Sequence, residues 1–163
     1  MTASHAARSL CYDVRVNASP IMQPDQITPP PRPFLKWAGG KGRLLAQYAP
    51  YLAELDLTAA TYFEPFCGGG AVFFTLLPAR AMLSDINPEL VNVYACVRDQ
   101  VDAVIARLAA FARDHSTERY YTARALKPAS LEPSERAARF IYLNRTCYNC
   151  LLYTSDAADD LTR

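Results

Sequence analysis

The chemistry on offer gathers at a glycine triplet, Gly68, Gly69 and Gly70, and at a carboxylate further along, Asp85, within the stretch TYFEPFCGGGAVFFTLLPARAMLSD at residues 61–85. A backbone without Cβ atoms lets a ligand approach closely and tolerates positive φ. A helix beginning near Ala71 adds unpaired N–H groups and partial positive charge at the same place. An acid at the tip of the next strand has the chemistry to accept hydrogen bonds from both hydroxyls of a ribose. Together these residues describe a nucleoside-cofactor site. The dinucleotide fingerprint G-x-G-x-x-G is not met, because Phe73 stands where its last Gly or Ala belongs, which points away from NAD. The plainer alternative is a glycine triplet that only turns the chain and an Asp85 that only caps a helix.

A second concentration of useful types is FLKWAGGKG, Phe34 to Gly42. It is not a P-loop, since Gly42 follows Lys41 and the glycine spacing is wrong. What remains is a loop whose backbone can come near a ligand, with Trp37 able to pack on a planar ring and Lys41 able to meet an anion or a carbonyl. A core tryptophan and a solvated lysine explain these two residues equally well.

The elements that position these groups follow from punctuation and period. Residues 61–66 are a β-branched and aromatic run, the glycines break it, residues 71–77 resume as an apolar segment ended by Pro78, and Ala81 to Leu83 form another short run. This reads as strand, turn, helix, strand. Residues 42–55 predict a helix with Leu44, Leu45, Tyr48 and Leu52 inward, interrupted around Pro50. Asn87 is an N-cap with Pro88 at the first helical position and Glu89 at the positive end. Leu90, Tyr94, Val97, Val101, Val104, Leu108 and Phe111 then make one apolar stripe, on a long helix or two in succession, which over only three heptads suits packing on neighbouring helices better than a coiled coil. His115 reads as a surface residue.

Tyr120, Tyr121, Arg124 and Lys127 interleave aromatic and basic groups, and Arg136, Arg139 and Arg145 lie on a helix opened by Pro133 and Ser134. Their positive excess fits phosphate contacts, and a solvated helical face explains it as well. Asn144, Arg145 and Asn149, beside Tyr148, have the groups to read base edges or to cap a helix. Residues 1–33 lack a helical period and end in Pro29, Pro30 and Pro31, so they read as a disordered, Pro-rich leader. The alternation Tyr12 to Val16 has the pattern of a strand, yet a lone short alternation outside any unit reads more often as nothing.

Length and composition bound the answer. A chain of 163 residues that is 51% hydrophobic and 20% charged, with a formal charge of +1, has the size and balance of about one ordinary globular domain. No apolar run is long enough for a membrane helix, and no basic segment leads into a long apolar one, so a cytoplasmic protein is expected. The five cysteines include Cys147 and Cys150 at C-x-x-C spacing, but no second pair completes a zinc site, and they read as reduced thiols with no metal.

The segments FLKWAGGKG, YFEPFCGGGAVFF, LSDINPELVNVY and AARFIYLNRTCYN resemble, in that order and spacing, the opening motifs of the Dam-type DNA adenine-N6 methyltransferases, the D12 class. The resemblance runs from about Phe34 to Asn149. It implies an α/β fold: part of the Rossmann-like sheet of S-adenosylmethionine-dependent methyltransferases with an appended helical target-recognition region. It implies S-adenosylmethionine as cofactor and double-stranded DNA as partner, with no membrane and no obligate protein partner. Trp37 and Lys41 match the family's first motif and would line the cofactor pocket. Glu64, Phe66 and Gly68 fall on its F-x-G-x-G region, and Asp85 on the acid that holds the cofactor ribose. An enzyme of a restriction-modification system and a solitary one are both compatible with these motifs. A methyltransferase of RNA or protein, and a non-catalytic module binding cofactor or DNA, are the alternatives.

The chain departs from the family in two places. The Asp-Pro-Pro-Tyr motif that would bind the flipped adenine does not occur, so no catalytic residue is assigned. After Asn149 the family's continuation gives way to Cys150 and LLYTSDAADDLTR, which resembles translated adapter sequence. The expected organisation is therefore a leader at 1–33, the N-terminal part of a methyltransferase domain at 34–97, the start of a target-recognition region at 98–149, and a non-native tail at 150–163. A piece of this kind is expected neither to fold cooperatively nor to transfer methyl groups on its own.

Overall fold

The computed structural model describes residues 12–15, 29–57 and 60–147. Readings that concern the rest of the leader, Tyr148, Asn149 and the segment from Cys150 lie outside the described residues.

Six α-helices and three short strands form a mixed α/β unit among the described residues. Strand β2 (Tyr62–Glu64) leads through the glycine turn into α2 (Ala71–Leu76), and β3 (Arg80–Leu83) returns parallel to β2, with Phe63 opposite Met82. The β2–β3 ladder continues past the strand ends, because Ser84 N–H donates to the Glu64 carbonyl at 2.9 Å and Cys67 N–H donates to the Ser84 carbonyl at 3.0 Å. The carboxyl ends of both strands are thereby fixed side by side.

One expectation is corrected here. The leader supplies a strand, β1 (Tyr12–Arg15), antiparallel to β3 with Tyr12 opposite Leu83, in the sheet order β1-β3-β2. Y-D-V-R alternates as a strand should, and the free edge of β3 presents backbone groups that need partners.

Residues Lys41–Leu44 form a 3-10 turn and α1 (Leu45–Leu52) follows, with Pro50 inside it. No residue of α1 is buried, and Leu44 and Tyr48, expected to face inward, are exposed. The apolar stripe after Asp85 divides into α3 (Pro88–Asp99) and α4 (Val101–Arg113), broken at Gln100 with φ −140° and ψ 37°. The break resets the helical phase, which leaves Val101 exposed while Leu90, Tyr94, Val104 and Phe111 are buried. Helix α3 begins as its residues require: the Asn87 side chain accepts from Glu89 N–H at 2.9 Å and Leu90 N–H at 3.3 Å.

Helix α5 (Thr117–Ala125) precedes α6 (Pro133–Thr146), the element around which the helices after β3 gather. Helices α3, α4 and α5 all pack on α6, whose Ala137, Ala138, Phe140, Tyr142 and Leu143 are buried. Leu90, Val93, Val104 and Leu143 are the largest enclosed aliphatic side chains. Each stabilises the fold by about 1.5–3 kcal/mol relative to an exposed position. Two arginines of α6 are engaged inside this assembly. Arg136 pairs with Glu89 of α3 at 2.6 Å, and buried Arg139 donates to the Ala123 and Arg124 carbonyls at 2.6 and 2.8 Å.

Candidate functional site

An open cleft of about 610 Å³ lies where β2 and β3 end, between the Phe34–Gly42 segment and the glycine turn. That volume is within the usual range for small-molecule sites. Trp37, Lys41, Phe66, Gly68 and Asp85 all line it, together with Leu35 and Gly69. Glu64 is not in the wall; it stands behind Lys41.

The turn has the conformation that only glycine adopts freely. Gly68 has φ +50° and Gly70 has φ +71°, the latter at the N-cap of α2. The Trp37 ring leaves no room either, since a Cβ on Gly68 would meet Trp37 Cδ1 at 2.8 Å. Trp37 is therefore pressed against the glycine turn on one side. On the other it stacks on Phe140 of α6, with ring centroids 6.4 Å apart and planes at 28°. The tryptophan packs on the core, and its half-buried ring also lines the cleft.

Asp85 is tied to the turn. Its Oδ2 accepts from Gly68 N–H at 3.0 Å and its Oδ1 from Asn87 N–H at 3.0 Å. A carboxylate has about four lone-pair directions, so acceptor capacity remains on this half-buried group where it meets the cleft. The helix cap is made by Asn87, which leaves Asp85 to brace the turn and face the cleft.

Lys41 is held from two directions. Its Nζ lies 2.7 Å from Glu64 Oε1 and donates to the Phe66 carbonyl at 2.6 Å. Glu64 is 4% exposed, and apart from that ion pair neither of its oxygens meets a hydrogen-bond donor in good geometry among the described residues. The carbonyl that Lys41 meets is thus one of the chain's own, and the pairing fixes the loop carrying Phe66, whose ring is 76% exposed at the cleft mouth.

Burial and negative charge mark the floor electrostatically. Burial, then the charges of Asp85 and Glu64, pushes the Cys67 thiol up to about 12. Burial first, and Glu64 next, raises the phenol of Tyr62 above its ordinary value. Burial also raises that of Tyr94, with smaller contributions from Cys67, Glu64 and Asp85.

Two further residues serve the cleft without a local signal in the sequence. Tyr94 belongs to the apolar stripe, yet its hydroxyl donates to the Gly68 carbonyl at 3.0 Å. Asn144 has the groups of a base-reading or capping amide, yet it pairs with the backbone of Lys36. A second cleft of about 600 Å³ lies between α5 with the loop before it and the end of α6, lined by His115, Tyr120, Tyr121 and Arg124 among others. There the exposed His115 meets the buried Tyr142 hydroxyl through Nδ1 at 2.8 Å.

A family model described as D12 class N6 adenine-specific DNA methyltransferase matches residues 37–160, a stretch that includes part of the segment read above as non-native. The chain is 42% identical over 123 residues to a DNA adenine methylase of Haemophilus influenzae, covering 74% of this chain and 42% of that protein. It is 38% identical over 124 residues to the type II methyltransferase M1.LlaDCHI of Lactococcus lactis subsp. cremoris, covering 74% of this chain and 43% of the relative. To the DNA adenine methylase of Escherichia coli strain K12 it is 38% identical over 122 residues, covering 74% and 42%. The chain thus spans less than half the length of each of these relatives.

Proposed function

The chain belongs to the D12 class of N6 adenine-specific DNA methyltransferases, and from that premise we propose that its cleft takes S-adenosylmethionine and that the whole protein methylates adenine N6 in double-stranded DNA. The observation that carries this reading is the 3.0 Å bond joining Gly68 N–H to Asp85, which sets a glycine turn and an acid together at the carboxyl ends of two parallel strands. Ligands of open α/β sheets bind at that end.

The residues present fit such a cofactor. Gly68 and Gly69 let the Leu35–Trp37 segment close against the turn, where a Cβ would meet Trp37 Cδ1 at 2.8 Å or the Leu35 carbonyl at 3.2 Å, and Leu35 and Trp37 so held supply apolar walls. Asp85 retains acceptor capacity for two ribose hydroxyls. The Phe66 ring at the mouth has the shape to cover a purine. Lys41 in the wall and Glu64 behind it fix the Phe66 loop. S-adenosylmethionine, when bound, supplies an electrophilic methyl group. The task of this part of the chain is to hold the donor immobile, because transfer to a nitrogen needs an in-line approach and is mainly a matter of positioning.

The acceptor side rests on the family. An adenine in duplex DNA must leave the stack before its N6 can be reached. The Asp-Pro-Pro-Tyr motif expected to receive it is not among these 163 residues, so catalysis is proposed for the whole protein and not for this stretch alone. In the same reading residues 34–97 are the N-terminal part of a Rossmann-like methyltransferase domain and residues 98–149 begin the helical target-recognition region.

Calorimetric titration of the full-length gene product with S-adenosylmethionine, followed by transfer of a labelled methyl group to DNA, RNA and protein, tests the proposal. Binding with label in N6-methyladenine of duplex DNA is expected. Label in RNA or protein alone, binding without turnover, or no binding would each overturn it.

A further inference from the structure

The segment that carries Trp37 belongs to no strand or helix. Besides the burial of Leu35 and the packing of the Phe34 ring on Phe74 and Tyr94, it is held by one side chain from the far end of the described chain. Asn144, on the last turn of α6 and 6% exposed, accepts from Lys36 N–H at 2.9 Å through Oδ1 and donates to the Lys36 carbonyl at 2.8 Å through Nδ2. An amide used this way replaces a neighbouring strand, satisfying both backbone groups of one residue. One turn earlier on α6, Phe140 stacks on Trp37. The adjoining residue is thus located twice, through its backbone and through its ring, and its other face meets the turn at Gly68.

We propose that Asn144 is a positioning residue for the cofactor cleft: by clamping the Lys36 peptide groups it holds Trp37 against the glycine turn and sets the width of the site. This rests on the functional reading above. It assigns to a helix of the proposed target-recognition region a direct part in shaping the cofactor wall. Lys36 itself exposes its side chain, so its backbone is what the clamp uses.

The pairing has a chemical signature that mere packing lacks. Asn144→Asp keeps the acceptor for Lys36 N–H but, when ionised, sets a negative oxygen against the Lys36 carbonyl. When protonated, the same carboxyl again offers one acceptor and one donor. Buried carboxyls titrate above the ordinary value of about 3.9, so the switch falls in an accessible range.

The experiment uses the full-length protein and measures S-adenosylmethionine affinity by calorimetry between pH 5 and pH 8, with wild type beside the variant at each pH. Since Trp37 is the one tryptophan of this sequence, its emission is followed as well, in a background where any tryptophan outside it is replaced by phenylalanine. At pH 8 the variant is expected to bind roughly tenfold more weakly than wild type, with red-shifted Trp37 emission, an elevated cofactor KM and near-normal kcat at saturation. The ratio of variant to wild-type Kd is expected to narrow towards pH 5. Equal affinity at pH 8, or a deficit that does not change with pH, would overturn the proposal. If Asn144→Asp does not fold at pH 8, Asn144→Ser takes its place, and wild-type affinity with unshifted Trp37 emission in that variant overturns it. Absence of cofactor binding by wild type defeats the functional reading instead, and Trp37 emission of the unliganded variants then decides the clamp alone.

Discussion

The carboxylate of Asp85 accepts a 3.0 Å hydrogen bond from the backbone N–H of Gly68, so the acid ending β3 and the turn ending β2 behave as one unit. Its other oxygen restrains Asn87 N–H, which brings the start of α3 into the same unit. Asp85→Ala removes the acceptor of two backbone donors together with the proposed ribose partner. Hydrogen bonds to a charged group are worth about 1.5–3 kcal/mol each, so cofactor affinity is expected to fall on the order of a hundredfold and the melting temperature to drop. Asp85→Asn, which retains one carbonyl oxygen, should lie between that variant and wild type. Calorimetric titration and thermal denaturation of the full-length protein measure both, and unchanged affinity in Asp85→Ala would rule out the ribose role.

Two glycines with similar backbone separate strain from collision. Gly39 has φ +66° with nothing within 4 Å of a built Cβ, whereas Gly68 has φ +50° with Trp37 Cδ1 at 2.8 Å. Gly39→Ala should cost about 1–2 kcal/mol, the penalty of the left-handed region alone. Gly68→Ala carries that penalty and must also displace Trp37, so its loss should be larger by at least about 1 kcal/mol, with weaker cofactor binding. Equal losses in chemical denaturation would mean that the tryptophan yields without cost.

Lys41 and Glu64 form a 2.7 Å pair in which the acid is 4% exposed and the lysine 33%. Removing one partner of a buried pair costs about 3–5 kcal/mol, and the partial exposure of Lys41 reduces this to about 2 kcal/mol for Lys41→Met. The double variant Lys41→Met with Glu64→Gln should recover more than half of that loss, because no uncompensated buried charge remains. A double-mutant cycle by urea denaturation gives the coupling. A double variant less stable than Lys41→Met would contradict the pairing.

Stability should fall in alkali, beginning at the glycine turn. The native Cys67 thiol is pushed up to about 12, chiefly by burial, while an unfolded thiol titrates at about 8.5. Between those values the native state holds a proton that the unfolded chain has lost, so the contribution is intact below about pH 8 and is lost as pH rises towards 12. Tyr62 and Tyr94 shift in the same direction and steepen the fall above about pH 10. Cys67→Ala should flatten the early part of the decline in denaturation curves taken from pH 8 to pH 10. An identical slope in that variant would assign the alkaline loss to the tyrosines alone.

The parts of this fold that were legible are those written locally. Glycine and proline punctuate 61–85 strongly enough to give strand, turn, helix and strand within a residue or two, and Asn87 and Pro133 mark helix starts by their own chemistry. The illegible parts join distant residues through polar side chains. Asn144 and Arg139 look like solvent-facing residues of a helix, and nothing in their neighbours announces that one will serve Lys36, 108 residues away, or the other the end of α5. The strand β1 was hidden for a related reason, since four alternating residues acquire meaning only beside a free edge. At the cleft, composition offered Lys41 as a group for a ligand, and only the fold shows its ammonium already facing Glu64 and the Phe66 carbonyl.

The same distinction decides what the arginines of α6 do. Arg139 is 7% exposed and donates to the Ala123 and Arg124 carbonyls at 2.6 and 2.8 Å, which satisfies acceptors that the end of α5 leaves without helical partners. Arg145 on the same helix is exposed. Arg139→Met keeps the aliphatic stem and removes the donors, so it should destabilise the protein by about 2–4 kcal/mol. Arg145→Met should change stability by no more than about 0.5 kcal/mol. A phosphate contact has a different signature, because each one lost lowers the slope of log affinity against log salt by about 0.9. The DNA-binding slope of full-length Arg139→Met, measured under conditions where it remains folded, should therefore equal that of wild type. A slope reduced by about one in this variant would move Arg139 from the helix end to the DNA backbone.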